Sequence, residues 1–332
     1  MGLAIKGKKI FISGGAGFIG SALVSRLIDD NEITIYDTFR RNSLKDFHIE
    51  NHPNLRVIRG DVLDGDCIKR NISGSQIVVH LAAIAGIDTV IKSPVTTMKV
   101  DLFGTSNMLE AIKDLPSLER FVNFSTSEVF GSYAFRSEEN DSTSLGAVGN
   151  ARWTYAVSKL AGEHLVYSYH HEFGLPTVSI RPFNIYGPGQ VGEGAVHHFV
   201  VRALKGDDII VRGKGDQIRS WCYIDDIIDG IILTIENDRA EGECFNIGNP
   251  RGTVTIYGLA LAVVRVTYSQ SRIVFVPNSE PDVELRIPNI DKATSILEFS
   301  PKIDLEEGLK KTVNWYYEKI TSNTARPAAV VA

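Results

Sequence analysis

Lys9-Ile10-Phe11-Ile12-Ser13-Gly14-Gly15-Ala16-Gly17-Phe18-Ile19-Gly20 is the stretch that decides the fold. Its first five residues, apolar and β-branched at Ile10 and Ile12, read as a buried strand. Residues 18–29 space their apolar positions by three and four, the period of a helix. Between strand and helix, Gly14, Gly17 and Gly20 form G-x-x-G-x-x-G. Glycines in that setting permit a tight turn, let backbone N–H groups approach a pyrophosphate, and let the helix pack closely on the strand. The helix N-terminus adds a favourable partial positive charge.

Outward from this unit the same alternation continues. Residues 33–37 (ITIYD), 55–59 (LRVIR), 77–83 (IVVHLAA), 120–125 (RFVNFS) and 177–184 (TVSIRPFN) read as further strands. Helical patterns fall at 95–113 and 152–173. Strand, helix, strand at this spacing implies right-handed crossovers: an α/β fold with a Rossmann-type, doubly wound parallel sheet. After Gly187-Pro188-Gly189 the glycines thicken and the segments shorten. Residues 1–185 are therefore expected to form the dinucleotide-binding domain, with later segments returning to it. Residues 186–320 are expected to form a smaller, interleaved C-terminal α/β substrate lobe closed by a helix over 305–320, and 321–332 a flexible tail.

Composition removes several classes. The chain has 332 residues, 43% hydrophobic and 23% charged, with a formal net charge of -5. An acidic balance does not suit a dedicated nucleic-acid binder. Cys67, Cys222 and Cys244 are an odd count without C-x-x-C spacing, which excludes a disulfide framework and a structural zinc cluster and fits a reducing compartment. No run approaches about 18 apolar residues, and the start of the chain has no signal-peptide pattern, so no membrane partner and a cytoplasmic location are expected. No metal site is expected either: the histidine pairs 170–171 and 197–198 are adjacent, lack recurring acidic partners, and read as surface positions. Cys222 reads as a buried apolar thiol.

Asp37 ends the second strand 20 residues after Gly17. A carboxylate there accepts hydrogen bonds from ribose hydroxyls and repels a 2′-phosphate, which favours NAD over NADP as the cofactor. Asp61 and Val62, after the third strand, are placed to meet the adenine edge, whereas Arg40 and Arg41 could bind a phosphate but read first as solvated surface charges. Tyr155 and Lys159 lie one helical turn apart and share a face. The ammonium, with a positive nicotinamide ring, would lower the tyrosine pKa and make a base able to take a hydroxyl proton while hydride leaves the same carbon. The segment Phe124-Ser125-Thr126-Ser127-Glu128-Val129-Phe130-Gly131 starts at the carboxyl end of a parallel strand, where open α/β sheets bind ligands, and its hydroxyls can meet the reacting oxygen.

These motifs together resemble the extended short-chain dehydrogenase/reductases, in particular the NAD-dependent nucleotide-sugar epimerase/dehydratase family. The matching elements run over roughly residues 8–320: GGAGFIG, Asp37, Asp61-Val62, His80-Leu81-Ala82-Ala83, STSEVFG, YAVSK, RPFNIYGPG and the PKIDLEEGLKKTVNWY ending. The resemblance implies that Thr126, Tyr155 and Lys159 form the catalytic triad, with Ser127 and Glu128 beside them. It implies a cofactor site of Gly14, Gly17, Phe18, Ile19, Gly20, Asp37, Asp61, Val62, Leu81, Ala82, Ala83, Tyr155 and Lys159. It also implies that Asn184, Arg219 and Arg286 bind the diphosphate of a nucleotide-sugar substrate, and that the chain forms a homodimer through the helices at 95–113 and 152–173. Asp101 is a departure, because many relatives carry asparagine there.

The resemblance further implies a first step that oxidises the sugar C4 hydroxyl, after which three fates diverge. Epimerases return the hydride to the other face, 4,6-dehydratases expel water from C6, and decarboxylases lose a C6 carboxylate. 4-Epimerisation of a UDP-sugar of the UDP-glucose or UDP-glucuronate type is placed first. The alternatives are UDP-glucuronate decarboxylation and 4,6-dehydration through Glu128. The decarboxylase likeness extends through His80-Leu81, Arg152-Trp153-x-Tyr155, Arg181-Pro182-Phe183-Asn184 and Asp282-Val283-Glu284-x-Arg286. A net 4-keto-sugar reductase is the contrast of another class. A pure epimerase is expected to tolerate Glu128→Gln, whereas a dehydratase would stall and accumulate NADH. Tyr155→Phe should abolish turnover while leaving NAD binding largely intact, as followed by fluorescence titration; loss of NAD binding with an intact fold would contradict the assignment.

Overall fold

Seven parallel strands form the central sheet of the computed structural model, which describes residues 5–277 and 282–324. They are β1 (Lys9–Ser13), β2 (Glu32–Asp37), β3 (Leu55–Arg59), β4 (Ile77–His80), β5 (Arg120–Phe124), β7 (Thr177–Pro182) and β12 (Cys244–Ile247), in the order β12-β7-β5-β4-β1-β2-β3. The expected strand at 77–83 ends earlier, at His80, because Leu81–Ala83 leave the sheet for the cavity wall. That at 177–184 ends at Pro182, which has no N–H to donate. Successive residues point to opposite faces, so Ile10, Ile12, Ile77, Val79 and Val122 pack into one apolar cluster and Phe11, Val78 and Phe121 into the other. Burial on both faces explains the continuous apolar runs in the sequence. Strand order reverses between β1 and β4, which opens a crevice at the carboxyl ends of these strands.

Helix α1 (Phe18–Leu27) follows the glycine loop, and α2 (Gly65–Ile72) crosses from β3 to β4. The short α3 (Ile87–Lys92) comes next. The helix expected at 95–113 is interrupted: α4 (Pro94–Met98) passes through a π-turn at Lys99–Phe103 into α5 (Gly104–Ile112). The π-turn aims Asp101 inward, and its side chain is fully buried. The catalytic-motif helix α6 (Thr154–Phe173) ends on Gly174 at φ 67°, a left-handed stop suited to glycine.

The second lobe is threaded through the first. Its sheet, β13-β10-β15-β6, joins β10 (Ile218–Ser220), β13 (Thr253–Thr255) and β15 (Leu285–Pro288) to β6 (Tyr133–Ser137), a strand from the first half that sequence reading missed. Two small parallel pairs complete it, β8 (Ile185–Tyr186) with β11 (Cys222–Tyr223) and β9 (Ile209–Arg212) with β14 (Ile273–Val276). In return, β12 forms the edge of the central sheet beside β7. The closing helix Leu305–Thr324 runs four residues past its expected end, so 321–324 are helical; the remainder of the expected tail lies outside the described residues. No helix among the described residues is long and apolar enough to cross a membrane.

Candidate active site

A cavity of about 780 Å³ lies over the crevice, and every site residue expected from sequence except Arg219 lines it. At one end is the glycine loop. Gly14 has φ 75°, and a Cβ there would stand 2.6 Å from the backbone N of Ala82. A Cβ on Gly20 would stand 2.5 Å from the Gly14 carbonyl oxygen. Both contacts are with backbone, so only glycine lets loop, helix and the Leu81–Ala82 segment approach this closely. Gly17 caps α1 without a side-chain bond, and the first-turn N–H groups remain available to an anion. Asp37 closes this end: its Oδ2 accepts from the Ala16 N–H at 3.0 Å and its Oδ1 from the Phe39 N–H at 2.7 Å. Burial nonetheless raises its carboxyl above the usual value. A bound dinucleotide fits this donor set, with Gly14, Gly17 and the start of α1 toward a pyrophosphate and Asp37 toward a ribose.

Arg41 corrects the expectation of a solvated surface charge. It is half-buried on the cavity wall and its Nη2 donates to the Ala85 carbonyl at 3.3 Å. Arg40 lines the same end but stays exposed. Asp61 is exposed beside the buried Val62.

At the other end, the turn after β5 and the first turns of α6 converge. Thr126 Oγ1 accepts from the Glu128 N–H at 3.2 Å and fixes this turn, and the Thr126 hydroxyl also acts on Tyr155. Ser127 is buried beside it. The protein groups around Tyr155 by themselves raise its pKa. Burial, followed by Asp101 and Glu128, drives the phenol upward, and Thr126 and Arg286 only partly oppose this. The chain's own groups therefore favour neutral phenol, and generating phenolate requires further positive charge. Lys159 is 3% exposed; burial lowers its pKa, while Asp101 and Glu163 act in the opposite direction.

The feature least visible in the sequence is an ion cluster around Glu128. Arg152 donates to its two oxygens at 2.7 and 3.3 Å, and Arg286 Nη1 lies 3.6 Å from Oε1. Burial by itself would raise the Glu128 pKa, but Arg286 and Arg152 outweigh it and hold the carboxyl below its ordinary value. Arg152 Nε, Arg286 Nε and Arg286 Nη2 are buried without a partner. Asn184 also reaches the cavity, its Nδ2 donating to the Ser220 carbonyl at 3.0 Å.

Arg219 is the substrate residue that the structure does not bring to the wall. It sits in register with Arg286 on the adjacent strand but donates to Ile218 O at 3.0 Å, Asp282 Oδ1 at 3.2 Å and Val283 O. Burial first, then Arg286, lowers its pKa to about 10. These contacts hold it within the second-lobe sheet beside Arg286.

The histidines also need correction. His170 and His197 are half-buried rather than on the surface; His197 Nδ1 lies 2.8 Å from the Tyr316 hydroxyl, and burial lowers its pKa to about 4. His80 is fully buried between Ser13 Oγ at 2.7 Å and Thr105 Oγ1 at 3.1 Å, and burial lowers its pKa to about 3. Cys222 is buried, as expected. No cluster of three or more potential metal-binding side chains occurs among the described residues.

A parallel sheet with a glycine crevice, joined to a Tyr-Lys helix, defines an enzyme built to oxidise and reduce a carbinol carbon beside a dinucleotide. The chain belongs to the NAD dependent epimerase/dehydratase family, whose model matches residues 10–248. It is 33% identical over 321 residues to UDP-N-acetyl-alpha-D-glucosaminuronate decarboxylase of Bacillus cytotoxicus, covering 94% of this chain and 98% of that one. It is 35% identical over 310 residues to UDP-glucuronic acid decarboxylase 3 of Arabidopsis thaliana, covering 91% and 86%. Among solved structures, UDP-glucuronic acid 4-epimerase from Bacillus cereus, in complex with UDP-glucuronic acid and NAD, superposes with a TM-score of 0.86 at 28% identity, covering 94% of this chain and 99% of that one.

The ion cluster changes the expectation for Glu128→Gln. Removing the carboxylate charge leaves two buried guanidinium groups facing one another, so the substitution is disruptive whichever reaction follows. Denaturant unfolding should show a loss of about 3 kcal/mol, the scale of a broken buried ion pair, with part recovered when Arg286→Met is added. An unchanged unfolding midpoint would contradict the cluster's structural role.

Proposed function

We propose that this chain decarboxylates a UDP-linked hexuronic acid, a reading that displaces the 4-epimerase placed first on sequence. The observation that carries it is the Glu128–Arg152–Arg286 cluster: two guanidinium groups to one carboxylate on the cavity wall, with buried N–H groups of Arg286 still unpartnered. Two guanidinium groups to one carboxylate leave an excess of positive charge on this wall, which suits a second carboxylate that a uronic acid has and a neutral hexose lacks. The names of the two curated relatives support the same reading.

Bound NAD would supply the hydride acceptor, held by the glycine loop, Asp37 and Lys159. Tyr155 takes the C4 hydroxyl proton, and Thr126 holds the same oxygen in line. The resulting C4 ketone lies β to the C6 carboxylate, so the C5–C6 bond can break with its electron pair passing to the ketone oxygen. Carbon dioxide leaves and C5 takes up a solvent proton. Tyr155 returns its proton to the C4 oxygen, and a retained cofactor would give back the hydride, so that no external reductant is needed. Glu128, held ionised by Arg286 and Arg152, is a weak base for removing the C5 proton, and this disfavours 4,6-dehydration. 4-Epimerisation is the second reading, because it shares the ketone and a solved relative is a UDP-glucuronic acid 4-epimerase.

The exposed Val95, Phe103, Val157, Tyr167 and Phe173 on the helices of 94–112 and α6 favour a homodimer through these faces. A cytoplasmic location accords with the free cysteines. Mass spectrometry after incubation with UDP-glucuronate and its 2-acetamido analogue tests the reaction. The expected product has lost carbon dioxide. Unchanged mass with altered chromatography would replace this reading with epimerisation, and loss of water from a neutral UDP-hexose would replace it with dehydration.

A further inference from the structure

Asp101 is a fully buried carboxylate that the proposed reaction does not use. It is presented by the π-turn Lys99–Phe103, and a π-turn places a side chain where a regular helix would not. Its Oδ1 accepts from the Ile84 N–H at 2.8 Å, on the segment leaving β4 that lines the cavity. Its Oδ2 lies 3.3 Å from Ser158 Oγ, between Tyr155 and Lys159 on α6, and that hydroxyl is also 2.9 Å from the Tyr155 carbonyl. One side chain thus touches both walls of the catalytic end.

We propose that Asp101 is a positioning residue whose carboxylate ties the Ile84 segment to α6 at Ser158, the residue before Lys159, and so brings negative charge to the neighbourhood of the Lys159 ammonium. The inference rests on the site roles given to Tyr155 and Lys159 above, but not on which product forms. Burial raises the Asp101 pKa to about 6, while Lys159, Ile84 and Ser158 oppose the rise, so the group is ionised above neutrality. Burial lowers the Lys159 pKa, and Asp101, followed by Glu163, restores part of the loss. The other groups facing this pair are Tyr155 on α6, His80 at the end of β4, and Glu128 and Arg286 across the cavity. His80 stays neutral in this range, Glu128 and Arg286 act on Tyr155, and Glu163 is committed to Arg181 at 2.7 Å. Asp101 is therefore the negative group near Lys159 whose removal leaves the other pairs intact.

Asp101→Asn separates charge from geometry. Its amide oxygen can still accept from Ile84, and its NH₂ can donate to Ser158 Oγ, which remains free to donate to the Tyr155 carbonyl. Losing the charge lowers the Lys159 pKa, so the ammonium is lost at lower pH. In the full chain, competitive acetylation of Lys159 followed by peptide mass spectrometry should show its titration midpoint falling by about one pH unit. The alkaline limb of kcat should move the same way. Ser158→Ala, which keeps the carboxylate, should leave the midpoint in place. If Asp101→Asn does not fold, Asp101→Ser makes the same test. An unmoved labelling midpoint in the Asp101 variant, or an equal shift in Ser158→Ala, would overturn the proposal. The labelling does not depend on the reaction catalysed, so failure of the decarboxylase reading would appear separately, in the product.

Discussion

The contact of Glu128 with Arg152 and Arg286 is the constraint on which the catalytic end depends. It joins three segments far apart in sequence: the turn after β5, the turn that starts α6, and β15 of the second lobe. Two cations and one anion with little solvent access are stable only if their hydrogen-bonding capacity is met. Here it is met incompletely, since Arg152 Nε, Arg286 Nε and Arg286 Nη2 remain unpartnered. Incomplete pairing is unfavourable in isolation, and the excess of guanidinium over carboxylate leaves this part of the cavity wall positive. Asp282, on the far side, occupies Arg219 and leaves Arg286 as the arginine of this strand pair facing the cavity.

The cofactor end obeys a steric rule instead. Gly14 and Gly20 are fixed by backbone contacts too short for any Cβ, and the approach they allow brings Leu81–Ala83 and α1 to the same crevice. Between the two ends lies the Tyr155–Lys159 pair, where electrostatics are opposed. Burial, Asp101 and Glu128 keep the phenol neutral, while burial works against the lysine's charge and Asp101 with Glu163 supports it. The chain's own groups thus favour the neutral phenol at Tyr155, and a nearby positive charge would act in the opposite direction.

Much of this was legible in the sequence because it is local. Apolar runs marked the strands, and β1 and β3 match their expected bounds. The glycine spacing placed the crevice, and one helical turn placed Tyr155 and Lys159 together. The missing parts depend on distant contacts. Arg152 was seen only as part of a motif, and its partner Glu128 lies 24 residues away, a distance at which no periodicity links them. Strand β6 pairs with β15 about half the chain away, so its short run Tyr133–Ser137 carried no signal of its own. The π-turn that turns Asp101 inward is invisible to a reading that assumes a constant helical period. Arg41 and Arg219 show the same limit in opposite directions: one expected in solvent lines the cavity, and one expected at the ligand is held by Asp282 and Val283.

The proposed decarboxylation turns on recognition of a sugar carboxylate by the Glu128–Arg152–Arg286 cluster. Calorimetric titration of an inactive, NAD-loaded Tyr155→Phe chain with UDP-glucuronate and with UDP-glucose tests it without turnover. The uronate should bind at least about tenfold more tightly, as expected for a charge-assisted bond of about 1.5 kcal/mol, and Arg286→Met should remove the advantage. Equal affinities for the two ligands, or a preference that survives Arg286→Met, would contradict it.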